Sequence, residues 1–503
     1  MNRRLAWHIF RKDTRRWWWM IALTLALLGR LTWLDAGRHY AVTGSEEGWL
    51  YLLLPLAWSF LVALTVMDDP VLGEAPFWMT VPCGWRPVLA AKAMFAAIAI
   101  HLPYLVACAV IVQARGLSPF DCLPELFYKQ VALAALTVPS LAIACLVRSA
   151  AHFMMIVAVL ATAVAAPSIL PDRSVSQDVR IAVLMLVVVV AGAVIVRRQY
   201  RLRLTPQARW IGAAALAAAV VIWWLPRESF YGLRAAVSST AEESLSVRYV
   251  SGARPPSRAP FSYGDRRGIW IPIEVAGYRG QVELDQASVV LTDAGGHSYK
   301  AAVRLDLTDM DSMVAQICCG VHPQWQSILI EPDLLRRIGD ETVTLRGVAL
   351  AEFHRNSDTT WIPVERGQVV PDVGRCSSDI QWGDGNPNNA KLHVECESPH
   401  RLPLVDVTVA HPGKNREWHD GVTGEDAFVS YLRGSWLSPM QRRDTYYSAT
   451  NEEAFSRPGG KWSIPIDDLS SVRIAITPGI PEGNRIVRYE IPNIRLRDFE
   501  APR

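Results

Sequence analysis

Hydrophobic positions along this chain follow two patterns that change over near Leu225. Before it, apolar residues come in long unbroken runs at 17–34, 49–67, 91–112, 127–147, 151–169, 179–196 and 210–225. A helix rises about 1.5 Å per residue, so roughly 20 apolar residues cross a hydrocarbon core about 30 Å thick. Only helices and closed barrels satisfy their own backbone there. The pattern predicts an α-helical polytopic membrane domain of six to seven spans over residues 1–225, led by a short amphipathic helix. The apolar run begins late, has no clear small-residue cleavage site and opens a series of further spans, so the N-terminus does not read as a cleavable signal.

After Pro226 the period falls to two. Ile269, Ile271, Ile273 and Val275 share one strand face, as do Val405, Val407 and Val409. Such alternation marks strands with one buried side. Further short runs lie at 281–291, 327–330, 342–353, 391–396, 472–476 and 486–496, separated by Gly, Pro, Asn and Asp. Helical patterns are scarce between them, which favours an all-β region of sandwiches over a parallel sheet. Its length exceeds one ordinary sandwich, so we divide it near 368–375 into two Ig-like β-sandwiches, 226–370 and 371–503.

Charge is divided along the same line. Residues 1–225 hold 20 basic against 11 acidic side chains, net +9, and the remainder 31 against 37, net −6, which the overall +3 conceals. Basic residues crowd the segment before the first span (Arg3, Arg4, Arg11, Lys12, Arg15, Arg16) and the loop between the sixth and seventh (Arg197, Arg198, Arg201, Arg203, Arg209). The loops expected opposite hold Arg38, Arg115 and Arg173, with Lys129 and Arg180 at span edges. The positive-inside rule then predicts a multi-pass protein of the plasma (inner) membrane, with a cytoplasmic N-terminus and an exterior or periplasmic C-terminal half. Topology explains the basic loops without nucleic acid.

Candidate chemistry narrows the picture mainly by what is missing. The seven expected spans hold no Asp or Glu, whereas ion-coupled transporters keep such a group where a cation binds. Arg30 and His101 are the strongly polar side chains well inside, while Lys92, Lys129 and His152 are placed near span ends where they snorkel. His101, before Pro103, either lines a pathway or hydrogen-bonds across to a neighbouring helix. No His-Glu-x-x-His helix, Gly-x-Ser-x-Gly elbow or phosphate-binding loop occurs, and Gly459-Gly460-Lys461-Trp462 lacks the remainder of a nucleotide site. We expect neither an enzyme nor a cofactor or metal on this chain. Asp384-Gly385-Asn386-Pro387-Asn388-Asn389 reads as a hairpin turn rather than a calcium loop, because Asn389 stands where the loop needs glycine. Of the four cysteines on the expected outside, Cys376 and Cys396 flank a hairpin and are the preferred disulfide, with free thiols as the alternative.

One loop is unusual. Between spans two and three the chain reads Asp68-Asp69-Pro70-Val71-Leu72-Gly73-Glu74-Ala75-Pro76-Phe77-Trp78-Met79-Thr80-Val81-Pro82-Cys83-Gly84-Trp85-Arg86 and continues to Lys92. Asp69 and Pro70 suit a helix start, with Glu74 near its positive end. Phe77 and Trp78 offer an apolar anchor to a partner's groove, or else sit among lipid headgroups. Together with Ile9-Phe10-Arg11-Lys12-Asp13, this stretch resembles the ABC-2 type permeases, the membrane subunits of ATP-driven transporters. The likeness lies in Asp69, Pro70, Gly73, Phe77, Trp78, Thr80, Pro82 and Lys92; Val81 departs from it, standing where that family commonly has Arg, and Arg86 is the nearest cation.

The resemblance implies a six-span protomer paired with a second permease protomer and with a cytoplasmic ATP-binding subunit that holds the ATP. The region from Asp69 to Arg86 would lie at that contact. The seventh span and the β-rich half, for cargo or a partner, are additions to this plan. The alternative is a membrane-anchored binding or assembly protein whose helices anchor and oligomerise in the lipid bilayer.

Overall fold

In the computed structural model the described residues are 3–37, 44–68, 84–157, 159, 175–202, 204–225, 229–230, 246–251, 262–263, 266–278, 281–302, 313–318, 324–371, 373–383, 386–398, 404–414, 416–418, 438–450 and 464–499. The first half is helical: α1 (Arg3–Arg16), α2 (Trp18–Gly37), α3 (Gly44–Met67), α4 (Trp85–Ala96), a π-helical turn (Ala97–His101), α5 (Leu102–Ala114), α6 (Leu123–Leu146), α7 (Val175–Leu202) and α8 (Thr205–Trp224). Six of these runs, with α4 to α5 counted as one, are long and apolar enough to cross a membrane. Of the expected fifth span, residues 150–157 are helical and most of the rest lies outside the described residues.

Helix α1 is too polar to span. It buries Ala6, Phe10 and Asp13 along one stripe and turns Arg3, Arg4, Arg11 and Arg15 outward, the spacing of an amphipathic helix lying on other helices. Exposed Trp18, Trp19, Trp210 and Trp224 suit the interfacial belt of a membrane protein.

Two apolar clusters order the bundle. One joins the ends of α3, α6 and α7 to the starts of α4 and α8 through Val66, Cys145, Tyr200, Val88 and Ala208, with Ile9 of α1 packed on it. The other runs from Phe10 and Met20 through Trp58, Phe95 and Tyr104 to Tyr51, Val112 and Cys122. At the end remote from α1, Arg180 of α7 donates to the Leu225 carbonyl just past α8 and lies over the rings of Trp223 and Phe230. The chain therefore leaves the bundle at the end opposite α1.

Among the described residues from 246 onward the second half is built of strands, with one short α-helix, α9 (Pro332–Ile338), and two 3-10 turns, Ile466–Asp468 and Leu496–Phe499. A 12-stranded sheet runs β1 (Ser246–Tyr249), β3 (Arg266–Ala276), β7 (Gln324–Ile330), β6 (Met313–Cys318), β5 (Ser298–Ala302), β4 (Gln281–Thr292), β8 (Thr342–Asn356), β17 (Arg473–Arg495), β13 (Leu404–His411), β14 (Arg416–Trp418), with β2 (Ser262–Tyr263) on β3 and β9 (Thr360–Pro363) on β17. A 5-stranded sheet runs β10 (Gly367–Val370), β11 (Gly374–Gly383), β12 (Asn386–Ser398), β15 (Gln441–Thr450), β16 (Ile464–Pro465). Pairing is antiparallel apart from β5 with β6 and β15 with β16.

These sheets enclose two cores that are not consecutive in sequence. The first gathers Ile269, Ile271, Leu291, Leu345 and Phe353 with Val487, Tyr489 and Ile491; the second gathers Ile362, Leu392, Val394 and Val407 with Ile474 and Ile476. Strand β17 serves both, so residues 371–503 supply strands to each. Its register shifts at Pro481/Gly483 and Ile491/Ile494. Proline has no N–H to give the ladder, so a long strand bends at such points.

The 5-stranded sheet rests on the far end of the bundle. Met440 enters the helical cluster, Ser438 donates to Asp35, and Arg115 pairs with Glu397 at 3.2 Å. Cys376 and Cys396 are direct partners on β11 and β12 and form a disulfide beside Glu397. Gly383 opposes Asn386 in the same pair of strands, and residues 386–389 of the turn expected at 384–389 belong to β12.

Candidate functional site

At the α1 end of the bundle, charged groups from three helices meet. Asp13 ends the buried stripe of α1, and its carboxylate accepts from Lys92 Nζ of α4 at 2.7 Å, both side chains fully buried. The same ammonium donates to the Thr65 carbonyl in the last turn of α3. Carbonyls of a last helical turn have no partner within the helix, and a cation satisfies them. Thr65 turns its own hydroxyl back to Val62 O. One residue beyond α3, Asp68 pairs with Arg16 Nη1 at 2.5 Å and lies 3.6 Å from Lys12 Nζ.

Lys92 therefore does not snorkel; this corrects the expectation from its place near a span end. A full positive charge is tolerated there because Asp13 neutralises it and two acceptors share its protons. Lys129 is likewise buried, two turns into α6, whereas His152 is exposed and bonded to Ser149. The interior also holds a carboxylate that no span supplies: Asp13 reaches it from α1.

The geometry ties α1 to both roots of segment 69–83. Asp68 marks its start and Lys92 lies nine residues past its end, two turns into the helix that follows, and α1 pairs with each. Of the residues expected at the ATPase contact, Asp69, Pro70, Gly73, Glu74, Phe77 and Trp78 lie outside the described residues. Arg86 is exposed at the first turn of α4, its guanidinium 5.6 Å from the centre of the Trp85 ring.

His101 closes the π-helical turn and faces α6. Its Nδ1 lies 3.0 Å from Gln130 Oε1 and its Nε2 3.3 Å from Thr137 Oγ1. One helical step on, Ser140 donates to Ser59 of α3 at 3.0 Å. These groups form a narrow polar seam between α3, α5 and α6, with His101 as its titratable member. The imidazole bonds across to a neighbouring helix beside Pro103, one of the two arrangements its sequence position allowed.

Sequence reasoning passed over Asp68, Arg115 with Glu397, and Arg180 as structural anchors. The one legible signal was Asp13: a carboxylate three residues after Phe10 and seven after Ala6 falls on the apolar stripe of an amphipathic helix. No protein-family model, curated protein or solved structure matches this chain.

Proposed function

We propose that this chain is the permease subunit of an ATP-driven transporter of the ABC-2 type, with ATP bound and hydrolysed by a separate cytoplasmic subunit and with a second permease protomer beside it. The observation that carries this reading is the pairing of α1 with both roots of the segment 69–83. A partner gripping Phe77 and Trp78 would pull on a segment whose two ends are bound to one amphipathic helix, so α3 and α4 would move together. Helix α4 continues through the π-helical turn into α5, a single run of 30 residues, which ends beside Arg115 and its contact with Glu397. Force applied at one end of this run is thus delivered to the β region at the other. We read the β region as two exterior sandwiches of Ig-like kind that bind cargo or a partner; the two apolar cores support this, although the Cys376–Cys396 bridge lies within one sheet and not between two as in antibody domains.

A second reading, a membrane-anchored binding or assembly protein, is favoured by the buried Arg115–Glu397 contact, which fixes the β region to its anchor. Purification in mild detergent together with the products of neighbouring genes separates the two. Under the permease reading an ATP-binding subunit copurifies, and Phe77→Ala with Trp78→Ala uncouples its ATPase from this chain. Absence of any such subunit, with no effect of the double substitution, leaves the anchored binding protein.

A further inference from the structure

Four basic side chains are buried among the described residues: Lys92, Arg115, Lys129 and Arg180. Three of them have strong acceptors in the chain. Lys92 bonds the Asp13 carboxylate and the Thr65 carbonyl. Arg115 pairs with Glu397 and donates to the Asp35 carbonyl, and Arg180 donates to the Leu225 carbonyl with two aromatic rings beside it. Lys129 differs. Among the described residues its one partner is the thiol of Cys108 on α5, with which it interacts electrostatically. A thiol is a weak acceptor and carries no charge to offset an ammonium. Glu125 precedes Lys129 by one turn of α6, the spacing of a helical ion pair, but the two do not pair and Glu125 has another partner.

The next residue adds a second donor. Gln130 turns its Oε1 to His101 Nδ1 at 3.0 Å, which leaves its Nε2 buried and without an acceptor. His101 is the last residue of the π-helical turn, and single π-turns inside α-helices recur at functional sites. Lys129 and Gln130 thus both direct N–H groups at the run from the π-helical turn into α5, where no described residue offers them a strong acceptor. An uncompensated ammonium is strongly disfavoured in a buried site at membrane depth. Two arrangements relieve it: loss of the proton, or an anion from outside the chain. A neutral amine would still leave Gln130 Nε2 without an acceptor. An oxyanion satisfies both groups, since its oxygens accept several charge-assisted hydrogen bonds. Access is short as well: Lys129 lies six residues into α6 from Leu123, about 9 Å along the axis.

We infer that Lys129 and the Gln130 amide bind one oxyanionic group between α5 and α6. Binding needs neither ATP nor a partner subunit, so the inference stands apart from the permease reading. The group is either a free anion or the headgroup of an anionic phospholipid, and the test separates these sources. Full-length protein is placed in phosphatidylcholine nanodiscs, and its unfolding temperature is followed as sodium phosphate replaces sodium chloride at constant ionic strength. Wild type should gain stability saturably, and Lys129→Met should show none of that gain. In chloride alone Lys129→Met should unfold at the wild-type temperature or above it, because it removes a charge that the chain does not offset. Phosphatidylglycerol discs without phosphate supply the second source. A gain there that Lys129→Met loses assigns the site to a lipid headgroup, whereas a gain confined to phosphate assigns it to a free anion. Gln130→Leu should weaken the phosphate response about tenfold, the worth of a hydrogen bond to a charged group, and keeps a readout if Lys129→Met fails to fold. Three results would overturn the site: no gain from either source in wild type, an equal gain in Lys129→Met, or a Lys129→Met that unfolds below wild type in chloride. The last of these, matched by Glu125→Gln, would make Glu125 the counter-charge.

Discussion

At the scale of single residues, the Asp13–Lys92 pair makes the sharpest demand. Removing one member of a buried ion pair strands the other, at a cost of about 3–5 kcal/mol. Lys92→Met or Asp13→Leu should therefore lower the unfolding temperature of the detergent-solubilised protein sharply. The double change to Asp13→Leu and Lys92→Met should cost much less than the sum, since no charge is then left behind. Gly347 makes a steric demand instead. It opposes Tyr489 across β8 and β17, and a Cβ there would collide with the phenol ring, so Gly347→Ala should cost about 1–3 kcal/mol by overpacking. Tyr489→Leu in the same chain should relieve part of it. Asp293 gives a pH dependence. Burial raises its pKa, but hydrogen bonds from the His297 amide at 2.8 Å and the Tyr299 hydroxyl at 3.0 Å outweigh this and hold the carboxyl below its ordinary value. A depressed carboxylate pKa stabilises the fold above the unfolded-state value and loses that contribution as pH falls through the folded one. Unfolding temperature should accordingly fall less steeply for Asp293→Asn than for wild type between about pH 5 and pH 2. None of these partnerships was legible in the sequence as a pair. Lys92 shows itself as a cation in an apolar run, but the carboxylate that makes it tolerable arrives from a helix 79 residues earlier.

At the scale of elements, periodicity carried the sequence reading a long way. Unbroken apolar runs marked the described spans, and period two marked the strands around Ile269 to Val275 and Val405 to Val409, because burial on every side and burial on one face leave different traces. What periodicity could not convey is which strands share a core. Strand β17 reads as two short apolar runs, 472–476 and 486–496, and is one strand of 23 residues whose prolines obscure its continuity. The π-helical turn is equally silent, since Ala97 to His101 has the composition of any membrane helix and only Pro103 hints at irregular backbone. The joint between bundle and sheet is testable at this scale. Arg115 and Glu397 have side chains only 6% and 10% exposed, so Glu397→Gln should destabilise the joint by a few kcal/mol, within the range of about 3–5 for a broken buried pair. Hydrogen exchange should then rise in β12 and around residues 114–117, while the first core, through Leu345 and Ile491, keeps its protection.

At the scale of the whole molecule, the path of the chain fixes an expected topology. Val66, Val88, Cys145, Tyr200 and Ala208 pack together at the end that carries α1, whereas Arg180 and Leu225 meet at the opposite end. Cys145 and Arg180 thus lie at opposite ends of the bundle, as do Ala208 and Leu225. The β region is attached at that second end through Asp35, Arg115 and Met440. If the arginine-rich α1 end faces the cytoplasm, as the positive-inside rule requires, the whole β region faces outward. Two independent readouts then have to agree. A reporter active only outside the cytoplasm, fused after Arg503, should be active. Cys376 and Cys396 should resist alkylation in intact cells until a reductant is added, because a disulfide persists in an oxidising compartment and not in the cytosol. An inactive reporter together with freely alkylated thiols would invert the bundle. That outcome would put α1 and the roots of segment 69–83 out of reach of any cytoplasmic ATPase, and the permease reading would fall with the topology.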